Sequence, residues 1–439
     1  MSKLDFRFEW VDAGAARGAE LRATWARFRV QVGEQVVTRV EDRDVHSVRD
    51  AVYLPLYPMA EWIATNWWTL LNEVASDARI AGGYLRRHLL SAASEGFAAP
   101  PLLIEPTGDH FLLRWTQADL SEYGVSFLTS GAEYLERQQV QEALTRFVDA
   151  VVERLEDESV EGTLLQEEWQ AIRDSRDAEA EFSAVAGRLG CDPFSLDQSQ
   201  QDILIKAASA LSGGIAGEFF AAAELKTLDV QVSALHEVIQ RAQATEIQMR
   251  PLRALREKGL ELGAGLTPWQ QGYSAARETR RALNLDGQVV GSVERIGELL
   301  GVGRQEWERA AQSTTTGVTA VDAVVATTRS GAPCFAVRRS QRTVRAFAIC
   351  RALYEYLAWP TESAAVVVNT HSERQKRNRA FAAEFLAPAE KLREIIGHRP
   401  VSDDDIQEIA DSLDVAPHVV RHQIENHNLA PFANWSDRH

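Results

Sequence analysis

The sequence predicts an α+β protein in three stretches: a mixed sheet-and-helix region over residues 1–130, a helical middle over 131–262, and a second mixed region over 263–439. Three observations carry that reading. Short runs near the start alternate apolar and polar residues with a period of two. From residue 131 the apolar positions recur every three or four residues. Beyond about residue 263, strand-like and helix-like runs interleave. The composition is that of an ordinary globular chain: 439 residues, 45% hydrophobic and 25% charged, with 27 Gly and 14 Pro. It excludes a wholly disordered chain and a collagen-like fibre, and at ~150 residues per domain it holds about two to four domains.

In the first stretch, LDFRFEWV alternates and reads as a strand. ATWARFRVQV and QVVTRV flank Gly33-Glu34, a hairpin turn. AVYLPLY is a further strand. Pro58 then opens one helix, PMAEWIATNWWTLL, because proline fits the first helical turn. Trp62, Trp67 and Trp68 crowd that helix, and packing in the core is the expected role for them, with an interface anchor as the other use. PLLIEP and HFLLRW form a second hairpin around Thr107-Gly108-Asp109, and VSFLT closes the set.

The middle stretch opens with EYLERQQVQEALTRFVDAVVERL, read as one amphipathic helix. Helical patterns continue through 163–190, 197–211, 216–225 and 228–245. GGIAGEFF lacks the lysine of a phosphate loop and reads as a tight helix–helix contact. FSAVAGRLGCDPFSLDQSQQDIL, with a turn at Asp192-Pro193, reads as a helix pair.

The last stretch begins with the helix TPWQQGYSAARETRRALNL, then SVERIGELLGV with Ser292 as its cap. AVDAVVATT and CFAVR are strands. TVRAFAICRALYEYLAW is a helix, SAAVVVNT a strand, and RNRAFAAEFLAPAEKLREII a helix interrupted near Pro388. SDDDIQEIADSL, capped by Ser402 with Asp405, and PHVVRHQIENH make a closing helix pair.

The formal charge is −16, with 47 Lys+Arg against 63 Asp+Glu, which disfavours a protein that coats nucleic acid with its whole surface. The charge is uneven. Residues 151–185 carry 11 acidic and 3 basic side chains, whereas residues 332–400 carry 12 basic and 6 acidic ones. No run of ~18 apolar residues exists, so no membrane span is expected. The N-terminal segment has no apolar signal core, and Cys191, Cys334 and Cys350 form no C-x-x-C pair, so a reducing cytoplasm is the expected compartment. There is no Walker loop, Rossmann fingerprint or G-x-S-x-G elbow.

Residues 267–429, through this order of helices and strands and above all FAAEFLAP, resemble the ImmA/IrrE family of zinc endopeptidases that cleave regulatory repressors. The resemblance implies a zincin-like fold for the last stretch, with H-E-x-x-H on the helix that here reads FAICRALYEYL. Histidines at i and i+4 share one helical face and grip zinc, and the glutamate between them activates water. In this register Arg351, Ala352 and Glu355 replace the first histidine, the glutamate and the second histidine. The third ligand, a glutamate, falls at Gln375 or Arg377. Guanidinium has no acceptor and stays cationic, so it repels a metal ion. The resemblance therefore implies a pseudo-metallopeptidase with no catalytic residue, no metal and no cofactor. Arg351 and Glu355, four apart, either pair in the volume of the lost zinc or point to solvent.

The function so implied is that of a non-catalytic regulatory or interaction protein. It would recognise a protein partner through the degenerate groove, in a bacterial regulatory, toxin–antitoxin or phage-defence module. Two other readings stand beside it. One is an active repressor-cleaving metallopeptidase with atypical ligands. The other is a nucleic-acid-binding regulator, for which Arg338, Arg339, Arg342, Arg345, Arg374, Lys376 and Arg379, beside Arg351 and Arg377, would supply an anion-binding groove. The same side chains could instead form a solvated basic face or pair with the acidic 151–185 stretch. The closing helix pair has helix-turn-helix spacing, which would turn His418, Arg421, His422 and Gln423 towards a major groove. His418 and His422 also have the spacing of a metal pair, with no carboxylate between them.

Overall fold

The computed structural model describes residues 3–13, 18–43, 45–260, 263, 265–313, 318–338, 341–397 and 399–433; Arg339 and His398 lie outside them. The chain is a mixed α+β protein and divides into two units, 1–205 and 206–439. Each unit has its own apolar core. The division falls elsewhere than at residues 130 and 262, because the helices of the middle stretch pack onto the sheets on either side of them.

In the first unit, β1 (Leu4–Trp10) pairs antiparallel with β2 (Trp25–Val32) after a short helix α1 (Ala19–Ala23). Gly33, at φ 57°, turns β2 into β3 (Gln35–Val36), the expected hairpin. β4 (Val40–Asp42), β5 (Ser47–Arg49) and β6 (Val52–Pro55) follow, with β6 on the other flank of β2. The helix expected after Pro58 breaks at Asn66 into α2 (Tyr57–Thr65) and α3 (Trp67–Asn72), where Asn66 donates its amide to the Trp62 carbonyl. Trp67 is a core residue, edge-on to Trp169, while Trp62 donates its indole N–H to the Arg86 carbonyl. Two short helices, α4 (Asp77–Ala81) and α5 (Tyr84–His88), lead to the second expected hairpin, β7 (Leu102–Pro106) with β8 (His110–Trp115). β9 (Ala118–Leu120) and β10 (Val125–Phe127) complete a small sheet with β4 and β5.

The long helix starts later than the sequence suggested. Residues Gly131–Glu136 form β11, antiparallel to β8, and the helix α6 is Arg137–Asp157. Here strand pairing overrides helical spacing: Leu135 is buried opposite Phe111, with exposed Glu136 and Ala132 on the same strand. Phe147 of α6 packs among Phe6, Phe8 and Phe28, which binds this helix to the first sheet. α7 (Leu164–Asp174), α8 (Asp177–Arg188) and α9 (Gln198–Ala210) follow, and the division between units falls within α9.

The second unit opens with α10 (Gly213–Ala222), α11 (Leu228–Gln243) and α12 (Arg250–Lys258), then α13 (Pro268–Ala282), α14 (Val293–Leu299) and α15 (Arg304–Ala310). A four-stranded sheet comes next, from β12 (Ala311–Ser313), β13 (Val321–Thr327), β14 (Pro333–Val337) and β15 (Ala364–Val368), in the order β12-β14-β13-β15. β12 runs parallel to β14 and the other pairs are antiparallel, which leaves β15 on an edge. α16 (Arg342–Ala358) packs on this sheet, and α17 (Glu373–Leu386) lies against both α16 and α13. α10 packs on β15, so GGIAGEFF meets a strand rather than the helix its glycines suggested. α18 (Ala389–Ile396), α19 (Asp403–Leu413) and α20 (Pro417–Asn426) close the chain, with the expected break near Pro388 and the Ser402–Asp405 capping box.

Glu384, within FAAEFLAP, holds these last elements together. Its carboxylate accepts from Arg277 Nε (2.7 Å), Gln423 Nε2 (2.8 Å) and the Ala389 N–H (3.2 Å). Burial alone would raise its pKa, but His427, Arg277 and Gln423 outweigh that and hold it below the usual value.

Candidate functional site

The sheet sets one face of α16 against α17, and Arg351, Ala352 and Glu355 lie on that buried face. Arg351 is 5% and Glu355 1% exposed, so neither points to solvent. Ala352 is fully buried and supplies only packing. Arg351 donates from Nε to Asn378 Oδ1 (2.8 Å) and from Nη2 to both the Val368 carbonyl and Gln375 Oε1 (2.7 Å each). Its Nη1 lies 3.8 Å from Asp322. Burial and the neighbouring Arg379 push its pKa down, while Asp322 and Glu355 act the other way. All these partners present acceptors, so the guanidinium sits as a cation in a fitted cage.

Glu355 does not pair directly with Arg351. Its Oε2 accepts from Arg374 Nε (2.6 Å) and its Oε1 from Asn378 Nδ2 (2.7 Å). Asn378 stands between the two, giving its oxygen to the cation and its amide N–H to the anion. Arg374 also grips Glu362 with two hydrogen bonds (3.0 and 2.7 Å) and lies over the Trp359 ring. Burial opposes the charge of Arg374, but Glu355 and Glu362 outweigh it and raise its pKa. Burial raises the pKa of Glu355 against the pull of Arg374 and Asn378.

Of the two positions considered for a third ligand, Gln375 is the one at this centre. Its Oε1 accepts from the Val368 N–H (3.1 Å), Arg351 and Asn378, and its Nε2 donates to Glu218 (2.9 Å) and to the Val366 carbonyl (3.4 Å). The amide thus sits against edge strand β15 as a peptide unit of a further strand would. Arg377 turns away, to Gln271 (2.6 Å) and Glu373 (3.0 Å).

Of the other basic residues proposed for a groove, Arg339 lies outside the described residues, and Arg338, Arg342, Arg345 and Arg379 are engaged within the second unit. Arg338 holds Asp322 and the Val321 carbonyl, Arg342 pairs with Asp414, and Arg345 donates to the Ala311 carbonyl. Arg379 donates to Asn369 and the Thr370 carbonyl, and Lys376 is half-buried with a partner of its own. The partners named for Arg338, Arg342, Arg345 and Arg379 all belong to this unit. In the closing helix pair, Gln423 is buried against Glu384, Arg421 is paired with Asp403, and His422 faces Glu425. Asp403, Asp404 and Asp405 crowd the start of α19, which would repel a phosphate backbone.

Chemically, this centre sets a guanidinium among acceptor groups, with an amide bridging it to a carboxylate. Among the described residues, no three His, Cys, Asp or Glu side chains come together as possible metal ligands. Sequence reading missed Asn378, Glu218, Glu362 and Asp322. Asn378 was within reach, since it sits one turn from Gln375 and Arg374 on α17. Glu218 was not, because it comes from 154 residues away from its partner Ser372. Among the described residues no helix is long and apolar enough to cross a membrane. No protein-family model, no characterised protein and no solved structure matches this chain.

Proposed function

We propose that this chain is a non-catalytic regulatory protein whose second unit is a zincin-like, ImmA/IrrE-like fold stripped of its metal centre. It serves to recognise a protein partner without cutting it. One observation carries the reading. The three positions at which the resemblance would place metal ligands, Arg351, Glu355 and Gln375, converge between one helix pair and an edge strand, and a guanidinium fills their centre. The hydrogen-bonded cage around that cation supports a structural role in place of hydrolysis. The engaged arginines and the acidic start of α19 favour a protein partner over a nucleic acid.

Two measurements test this. Purified protein should hold no stoichiometric zinc and leave bound partners at their full mass. The variant carrying Arg351→His, Ala352→Glu, Glu355→His and Gln375→Glu should take up one zinc per chain. Stoichiometric zinc in the natural chain overturns the proposal, as does a folded quadruple variant that takes up none.

A further inference from the structure

We infer that the first half of α10, residues 213–218, is a latch that shuts edge strand β15, hinged on the anchored second half of the same helix. The inference rests on reading the β15 face as the recognition groove. An extended peptide recognises a sheet edge by adding a strand, using the edge's free N–H and C=O groups. Here Val366 and Val368 give those groups to Gln375 and Arg351, and Gln375 is in turn held by Glu218 of α10. Glu218 also accepts the Ser372 hydroxyl at 3.0 and 2.9 Å, at the N-terminus of α17, where a carboxylate meets the positive end of the helix dipole. One half-buried carboxylate thus ties the latch to the residues that cover the edge.

The latch is weakly built. Gly213, Gly214 and Gly217 fall within six residues, and glycine is the poorest helix former after proline. Ser212 makes no side-chain cap. A Cβ at Gly214 would overlap the side-chain ends of Arg374 and Glu362, so that ion pair would have to shift. A Cβ at Gly217 meets nothing within 4 Å. Packing therefore does not explain Gly217, while easy opening of the helix does. Phe219 and Phe220 are fully buried and fix the second half in place. α10 also follows within three residues of α9, the helix in which the chain passes from one unit to the other.

Hydrogen–deuterium exchange on the full chain tests this. Amides of 213–218 should exchange through local opening, faster than those of α16 and α17. Glu218→Ala should speed exchange in 213–218 and in β15 about tenfold, the worth of a lost charged hydrogen bond, and leave α16 and the part of α17 beyond its first turn unchanged. Gly217→Ala should slow exchange in 213–218 about fivefold, the helix preference of alanine over glycine. Exchange of 213–218 in step with α16 and α17, or no response to either variant, overturns the latch. Zinc uptake by the quadruple variant reports on the pseudo-peptidase reading alone, so the two can fail separately.

Discussion

At the scale of single residues, the centre between α16, α17 and β15 depends on the buried cation Arg351. Replacing Arg351 by methionine removes the charge, takes one donor each from Gln375, Asn378 and the Val368 carbonyl, and leaves Asp322 without this cation nearby. Breaking a buried charged network from one side costs about 3–5 kcal/mol. Arg351→Lys keeps the charge but cannot span Asn378 and Gln375 with one planar fork, and should cost about 1–3 kcal/mol. Urea unfolding of both variants checks the order: natural, lysine, methionine. The first unit has its own such residue. Glu73, 1% exposed, accepts two hydrogen bonds from Arg87 (2.8 and 2.7 Å) and lies 3.2 Å from His88 Nε2. Burial works to raise its pKa, but His88, Arg87 and Arg79 overcome it and hold the carboxyl at about 2 against 4.5 when free. A carboxyl lowered on folding stabilises fully above its unfolded pKa. That stability is lost as the pH falls from 4.5 towards 2. At about 1.4 kcal/mol per unit this amounts to about 3 kcal/mol. Glu73→Gln should therefore show a flatter fall in stability between pH 4.5 and 2.5 than the natural chain, measured by denaturant unfolding across that range.

At the scale of elements, the contact between α13 and α17 turns on a glycine. A Cβ at Gly272 of α13 would overlap the Arg377 carbonyl oxygen and press on Ala380 and Phe381 of α17. Because the first obstacle is backbone, the helices must separate, and Gly272→Ala should cost about 1–3 kcal/mol, seen as a lower melting temperature. Most of these elements were legible in the sequence because their signals are local. The Ser402–Asp405 box, the Gly33 turn and the break near Pro388 each follow from residues within one turn of each other. The failures came where a distant partner decided. Residues 131–136 have helical spacing but become β11 because β8 offers an edge. α10 meets a strand that lies 142 residues further on in the chain at its first residue, Ala364. The site divides in the same way. Arg351, Glu355 and Gln375 were singled out by the register of the family resemblance, Gln375 as one of two positions beside Arg377. The bridging role of Asn378 and the clasp of Glu218 depend on which faces the fold brings together.

At the scale of the whole molecule, the uneven charge and the two cores lead to one expectation. The −16 total hides a second unit whose many arginines are consumed by its own carboxylates and carbonyls, so the net charge says little about what that unit binds. Each core is closed within its own unit: one spans residues 4–172 and the other 242–424. Cooperative unfolding follows a shared core, so two separate cores should melt as two transitions rather than one. The residue-scale variants can assign them. Glu73 and Arg351 sit in different units with no common partner, and effects at such sites add independently. In differential scanning calorimetry at neutral pH, Glu73→Gln should lower one transition and leave the other in place, and Arg351→Lys should do the reverse. Combining the two should lower both by the amounts seen singly. If both variants moved one common transition, the two units would share their stability, and the division at residues 205 and 206 would be geometric without being energetic.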